Sequence, residues 1–416
     1  MVKKSILTED WAVVVLGFLI IAVVLSGLVI PVPSFGWKNA DDLFSKVLSA
    51  ENILKIALQF VVLLIVAVLG ALITGKNLKN FSTTFVVIYL LTLFALVLAG
   101  NTTVKEYNLE AVIFSLLIGL VIGNVFNLPQ WFRSSITSEL FVKIGLVLLG
   151  TSIIFSDILK AGALGLIQAL IVVVAVWYFA YWVCKRMKID EEITMMLASA
   201  VSICGVSAAI ATSGAIKGDT KKLSYIISLV LIVAIPMMIF MPYIAKWLGL
   251  SQEVTGAWLG GSIDTTGAVV ASGSLVGEEA LKISSIVKFA QNVLLGIAAF
   301  AISVYWTYTG HFNNTGVEEK PTLKVIWQRF PKFVVGFILA SLLFSFVIPP
   351  EKIGEVKNSL KSVQGLWFAL AFTAIGLETK FSDLIKQENR KPLYAFLIAQ
   401  FFNILVTLLI AWLLFR

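Results

Sequence analysis

Residues 194–216 read TMMLASAVSICGVSAAIATSGAI, and residues 255–276 read TGAWLGGSIDTTGAVVASGSLV. Both are apolar runs, yet they are built from Gly, Ala, Ser and Thr where neighbouring runs use Leu, Ile and Phe. Small residues let helix backbones approach closely in a bilayer. Glycines with clustered hydroxyls also suit broken helices that line a polar cavity. The second run carries a carboxylate, Asp264, near its centre. An ionisable group inside a membrane segment is costly and points to function.

The surrounding chain sets these runs in a membrane. Of 416 residues, 59% are hydrophobic and 13% are charged, with a mean hydropathy of +0.96. A soluble chain carries roughly 25% charged residues. Apolar runs fall near 11–30, 53–74, 83–100, 110–127, 140–158, 161–184, 194–216, 223–248, 255–276, 283–308, 332–348, 362–380 and 393–415. Many are long enough to cross about 30 Å of hydrocarbon as helices. The longest polar connections are 31–52, 309–331 and 349–361, with 309–324 the best flexible linker. The start, MVKKSILTED followed by an apolar run to about Ile30, reads as a first transmembrane helix and not as a signal peptide.

The expected fold is an all-α polytopic membrane protein in one membrane domain, 1–416. It has about eleven transmembrane helices plus two re-entrant or broken helical hairpins, arranged as inverted-topology repeats. Residues 1–100 read as accessory or scaffold helices, 105–250 as a first repeat region and 251–416 as a second. The net charge of +8 fits basic cytoplasmic loops. No basic stretch is interleaved with aromatics, so no nucleic-acid partner is expected. Cys184 and Cys204 lie in or beside apolar runs and suggest neither a disulfide scaffold nor a metal site. The sole histidine, His311, sits in a polar loop and argues against zinc. No metal and no cofactor are expected. Without a nucleophile–base pair, metal cluster or nucleotide loop, the chain does not read as an enzyme.

Flanking charge decides how the two unusual runs lie. Lys185, Arg186 and Lys188 precede 194–216, and Lys217, Lys221 and Lys222 follow it. Both ends therefore read as cytoplasmic. Glu253 precedes 255–276, and Glu278 and Glu279 follow it, so both of its ends read as non-cytoplasmic. Taking both runs as re-entrant puts the N-terminus inside and the C-terminus outside. It also places Lys76, Lys79, Arg133, Lys320, Lys324, Arg329, Arg390 and Lys391 on the inner side. Two ordinary spans are the alternative, and they set one flank of each run against the charge bias.

Internal symmetry supports the hairpins. An offset of 60 aligns SICGVSAAIA (202–211) with SIDTTGAVVA (262–271) and continues through Lys222/Lys282, Ser224/Ser284 and Ile226/Ile286. An offset of 226 aligns GTSIIFSDILK (150–160) with GLETKFSDLIK (376–386), with Gly150/Gly376, Phe155/Phe381, Ser156/Ser382, Asp157/Asp383 and Lys160/Lys386 identical. Transporters built this way bind substrate near the midplane, between broken helices.

Breaks near Cys204–Ser207 and Asp264–Gly267 would aim two helix N-termini into such a cavity. An N-terminus carries about half a positive charge and binds anions without a basic side chain. The candidate substrate-binding residues are Ser202, Cys204, Gly205, Ser207, Ser262, Asp264, Thr265, Thr266 and Gly267. Asp264 either carries a Na+ or H+ in transport, or caps the second half-helix by accepting its N–H bonds. The repeat mate of Asp264 is Cys204, so coupling chemistry is asymmetric between the halves. Lys288, Gln291 and Asn292 share a helix face and are coupling or counter-ion candidates. Lys288 faces Asp264 or an anion, or else snorkels to the outer interface. Gln400 and Asn403 read as interhelical hydrogen-bonding groups.

SICGVSAAIA and GGSIDTTGAVVASG, with KIGLVLLG upstream and FTAIGLE near the C-terminus, resemble the YeiH-type family of bacterial inner-membrane proteins, described as sulfate exporters. The resemblance runs roughly from residue 50 onward. It implies an inverted-repeat transporter with an anion as cargo, in the bacterial inner membrane. Where many members read S-I-H followed by an acidic residue, this chain has Asp264 followed by Thr265. A histidine titrates near neutrality, an aspartate only when desolvated or crowded. That departure leaves Na+ coupling open.

The leading expectation is a secondary transporter of a small anion (sulfate, a sulfonate or a carboxylate), ion-coupled in one version. It would work by moving a hairpin-bearing core against a helical scaffold. A cation/proton antiporter using Asp264, or an anion channel, are the alternatives. The spans at 11–30, 53–74 and 83–100 have no repeat mate and belong to the scaffold or to a contact in a homo-oligomer.

Overall fold

The computed structural model describes residues 6–28, 30–106, 111–308, 327, 330–379 and 390–416. The main helices are α1 (Glu9–Leu25), α2 (Ala50–Ile73), α3 (Leu78–Ala99), α4 (Ala111–Val125), α5 (Ser138–Leu149), α6 (Phe155–Arg186), α7 (Glu191–Ser199) and α8 (Val206–Ile216). They continue as α9 (Thr220–Trp247), α10 (Gln252–Ser262), α11 (Thr266–Val276), α12 (Glu278–Tyr308), α13 (Lys332–Leu342), α14 (Pro350–Glu378) and α15 (Lys391–Phe415). Eight helices among the described residues are long and apolar enough to cross a membrane, and shorter apolar helices accompany them. The chain is an all-α polytopic membrane protein.

Two boundaries differ from the sequence reading. The stretch 349–361 is not a connection. Pro350 occupies the first turn of α14, where its missing N–H costs nothing, and the helix runs unbroken to Glu378. Its first turns are polar, PEKIGEVKNSLK, so hydropathy alone does not mark them as helix. The run 140–158 does not form one helix either. A 3-10 turn at Gly150–Ser152 ends α5, and the next long helix already begins at Phe155. Phe381, Ser382, Asp383 and Lys386 of the second alignment lie outside the described residues, as do His311 and the linker 309–324.

The chain divides into two compact units, Met1–Ser156 with Lys332–Lys380, and Asp157–Pro331 with Phe381–Arg416. This division cuts across the repeat regions drawn along the sequence. The first unit holds α1–α5, α13 and α14. There α4 and α14 cross closely, because a Cβ at Gly119 would meet the backbone of Thr373 and one at Gly376 that of Leu116. The aligned glycine, Gly150, approaches the Phe337 carbonyl of α13 in the same way. Glu378 accepts from the Ser138 N–H (3.3 Å) and hydroxyl (2.5 Å), closing the start of α5.

The second unit holds both small-residue runs. The first is a hairpin, α7–α8, and its two ends lie together. The Asp219 N–H donates to Glu192 (3.0 Å), and Lys222 pairs with Asp190 (2.8 Å) and Glu192 (3.2 Å). Asp219 also accepts the Lys221 and Lys222 amides. Those two bonds, Lys221 first, hold its carboxyl below the usual carboxylate range. The second run, α10–α11, returns likewise. Gln252 at its start accepts the Ala280 N–H (3.4 Å) just past its end and packs against Gly277. Between the two mouths runs α9, 28 residues long, or about 42 Å at 1.5 Å per residue. The hairpins therefore start from opposite ends of α9. Both are re-entrant in form, and neither run is an ordinary span.

Small residues seat the second hairpin. A Cβ at Gly256 would meet the Ala280 backbone, one at Gly260 the Ser284 backbone and one at Gly273 the Ser284 side chain, all on α12. Gly260→Val should therefore lower stability by at least the 1–3 kcal/mol typical of overpacking. Gly365→Ala, in the interior of α14 where a Cβ meets nothing within 4 Å, should instead raise stability by up to about 1 kcal/mol. Thermal melting in detergent checks both.

Candidate functional site

Each hairpin breaks where the sequence concentrates glycine and hydroxyls. After α7 the chain makes one π-helical turn, Ala200–Cys204. It reverses at Gly205, whose φ of +60° and ψ of −113° suit a residue without a Cβ. In the second hairpin α10 ends at Ser262, Ile263 and Thr265 are extended, and α11 begins at Thr266. The two tips touch. A Cβ on Gly205 would meet the Cβ of Asp264 and the side chain of Val230.

Three side chains clasp the tips together, each bonding one carbonyl of either hairpin. Lys288 Nζ donates to the Ile203 and Ile263 carbonyls, 2.9 Å each. Gln291 Nε2 donates to the Ser202 carbonyl (2.9 Å) and the Gly261 carbonyl (3.2 Å). Asn403 Nδ2 donates to the Val201 carbonyl (3.1 Å) and the Ser262 carbonyl (3.2 Å). These carbonyls, 201–203 and 261–263, are mates under the offset of 60. Ser202 and Ser262 match as well, each donating its hydroxyl four residues back, to Ala198 and Trp258. The clasped carbonyls end the first half-helices, where partial negative charge collects, and the Lys288 ammonium compensates it.

Lys288 is 1% exposed. It lies about three turns inside α12, which begins at Glu278 and not near residue 283. Snorkelling to an interface is therefore excluded. Its third bond goes to Gln291 Oε1 (2.8 Å), so all three ammonium protons are committed.

Asp264 is 2% exposed, and neither carboxylate oxygen has a hydrogen-bond partner. The sequence left open that it caps α11, and the structure corrects this. Thr265 stands at the N-cap, and its hydroxyl accepts the Ala268 N–H (3.3 Å). Asp264 sits one residue outside the cap. Lys288 acts on its carboxylate electrostatically, and Gln400 lies beside it.

The remaining candidates divide. Cys204 and Gly267 are buried in the tips, Thr266 is half-buried, and Ser207 is exposed on the first turn of α8. Asn292 donates to the Thr266 hydroxyl (3.3 Å), and its own carbonyl oxygen is unpartnered. Thr265 and Ser202 use their hydroxyls within their own helices, and Ser262 does so while also reaching Met241 Sδ (4.0 Å) on α9. Gly205 leaves α8 with no side-chain cap. Gln400 belongs to the tips too, donating to the Ser262 carbonyl (2.7 Å) and Met237 Sδ (3.1 Å). The Gln400–Asn403 spacing on an apolar helix was its only sequence signal.

The family model described as conserved hypothetical protein 698 matches residues 83–395, which include both hairpins. The chain is 40% identical over 372 residues to a UPF0324 membrane protein of Rhodopirellula baltica, covering 85% of this chain and 67% of the relative. It is 33% identical over 361 residues to a UPF0324 membrane protein of Nitratidesulfovibrio vulgaris, covering 83% of this chain and 62% of that one's length. A UPF0324 membrane protein of Nitrosomonas europaea is 27% identical over 461 residues, covering 93% of this chain and 92% of the relative. No solved structure matches the chain.

Lys288→Met should cost about 3–5 kcal/mol, the range for removing one member of a buried charged set. Adding Asp264→Asn should recover part of that. The double variant should then fall short of the summed losses by about 0.5–3 kcal/mol, the coupling range for groups in contact. Melting of the two single variants and the double variant checks the cycle.

Proposed function

The chain belongs to the conserved hypothetical protein 698 family, the YeiH-type family that its hairpin motifs resemble, and from that premise we propose that it is a secondary transporter of a small anion. Sulfate, a sulfonate or a small carboxylate is the cargo class. The observation that carries this reading is the meeting of two re-entrant hairpins at their breaks. At that point α8 starts without a side-chain cap and with Ser207 exposed on its first turn. Free N–H groups at such a start attract an anion, and the Ser207 and Thr266 hydroxyls add donors.

Alternating access needs a site that two gates can cover in turn. Hairpins that start from opposite ends of α9 provide one gate for each side. The N-terminus would then be cytoplasmic in a bacterial inner membrane, as the Lys and Arg distribution favours. Asp264 would act in coupling, since a buried carboxylate without a hydrogen bond opposes an anion until a cation or proton neutralises it. The same observation favours a second reading, a cation/proton antiporter in which Asp264 itself carries the ion. Binding, orientation and gating are the work assigned here, with no covalent chemistry.

Currents from the reconstituted full chain on a solid-supported membrane separate these readings. The anion transporter predicts saturable currents with sulfate, sulfonates or carboxylates. In Asp264→Asn these currents should lose their dependence on Na+ or pH. Currents that follow Na+ or pH without an anion would establish the antiporter. Anion flux that does not saturate would indicate a channel.

A further inference from the structure

The hydrogen bonds around the tips do not balance. The donors near Asp264 are spent on backbone carbonyls or on each other. Lys288 uses its three protons on Ile203, Ile263 and Gln291. Gln291 and Asn403 each give two. The Gln400 amide gives its two to Ser262 and Met237, which fixes its orientation and turns Oε1 away from those partners. Among the acceptors left over are both Asp264 carboxylate oxygens and Gln400 Oε1, three oxygens on neighbouring side chains. Gln400 is 1% exposed and Asp264 2%, so bulk water does not serve them.

An unsatisfied buried acceptor costs about 1–3 kcal/mol, and more when charged. One proton on Asp264 would satisfy a single oxygen–oxygen contact. A metal cation would satisfy all three oxygens together. Oxygen-only donors suit a hard cation. One carboxylate near the Lys288 ammonium disfavours a divalent ion, which would leave two uncompensated charges in a medium of low dielectric.

We propose that Asp264 and Gln400 form a binding site for a monovalent cation of the Na+ class at the meeting of the hairpin tips. Its existence rests on these buried, unpartnered oxygens, and its role rests on the transporter reading above. With Lys288 and Asp264 both ionised, the tips are neutral. A bound Na+ makes them positive, and an anion at the start of α8 restores balance. Each ligand then raises the affinity of the other by the same factor, as linkage requires. Anion and Na+ therefore travel together.

Binding can be measured without transport. The purified full chain in detergent is melted across a Na+ series, with choline holding ionic strength constant and pH fixed. The site predicts a saturable rise in Tm with Na+ that Asp264→Asn abolishes. Gln400→Met, which keeps the side-chain length and removes one ligand oxygen, should raise the half-saturating Na+ concentration about tenfold, one factor of ten per 1.4 kcal/mol. No Na+-specific rise in the wild type overturns the proposal, including the case where stability follows pH alone. A rise that persists in Asp264→Asn also overturns it. If Asp264→Asn fails to fold, Gln400→Met decides, and an unchanged half-saturation sinks the site. A Na+ rise together with no anion-dependent current would leave the site standing and refute the transporter reading.

Discussion

The second unit depends on the clasp of Lys288, Gln291 and Asn403 over carbonyls 201–203 and 261–263. A helix that stops inside a membrane leaves carbonyls with no intrahelical partner. In hydrocarbon no water replaces them, and each costs several kcal/mol. Two helices stop here, at adjoining points. Three side chains answer both ends at once because each spans the gap between the hairpins. The clasp thus satisfies the breaks and holds the tips in contact. Removing one member exposes carbonyls on both hairpins.

The clasp treats the two hairpins alike, and the groups beyond it do not. The second half-helix of hairpin 2 is capped by Thr265 and preceded by Asp264. The second half-helix of hairpin 1 begins at Gly205 with no cap, and Cys204 stands where Asp264 stands in its mate. Matched carbonyls build the frame. The mismatch puts a buried carboxyl on one tip and an uncapped helix start on the other.

Much of this arrangement was legible in the sequence. The Gly, Ala, Ser and Thr runs marked the hairpins because close packing against α12 tolerates no larger residue at Gly256, Gly260 and Gly273. The offset of 60 gave the true register, since Ser202 and Ser262 make the same bond four residues back. Flanking charge gave the return of each hairpin. The clasp was harder to see. Gln400 and Asn403 lie 138 to 202 residues from the carbonyls they bond, and no periodicity links them. The capping alternative left open for Asp264 fails by one residue: Asp and Thr both suit an N-cap, and only the backbone dihedrals place Thr265 there. The polar start of α14 was hidden because a helix begun by Pro350 needs no apolar face there.

Sidedness of the two hairpin mouths tests the account most directly. Cysteines placed one at a time at Lys221 and Glu278, both exposed, would be probed with a membrane-impermeant maleimide. The background carries Cys184→Ala and Cys204→Ala, since both native thiols are buried. Vesicles of known orientation report the side. Two re-entrant hairpins predict labelling from opposite sides, Lys221→Cys from the cytoplasm and Glu278→Cys from outside. Labelling of both from the same side would make the second run an ordinary span and contradict the meeting of tips on which the site rests.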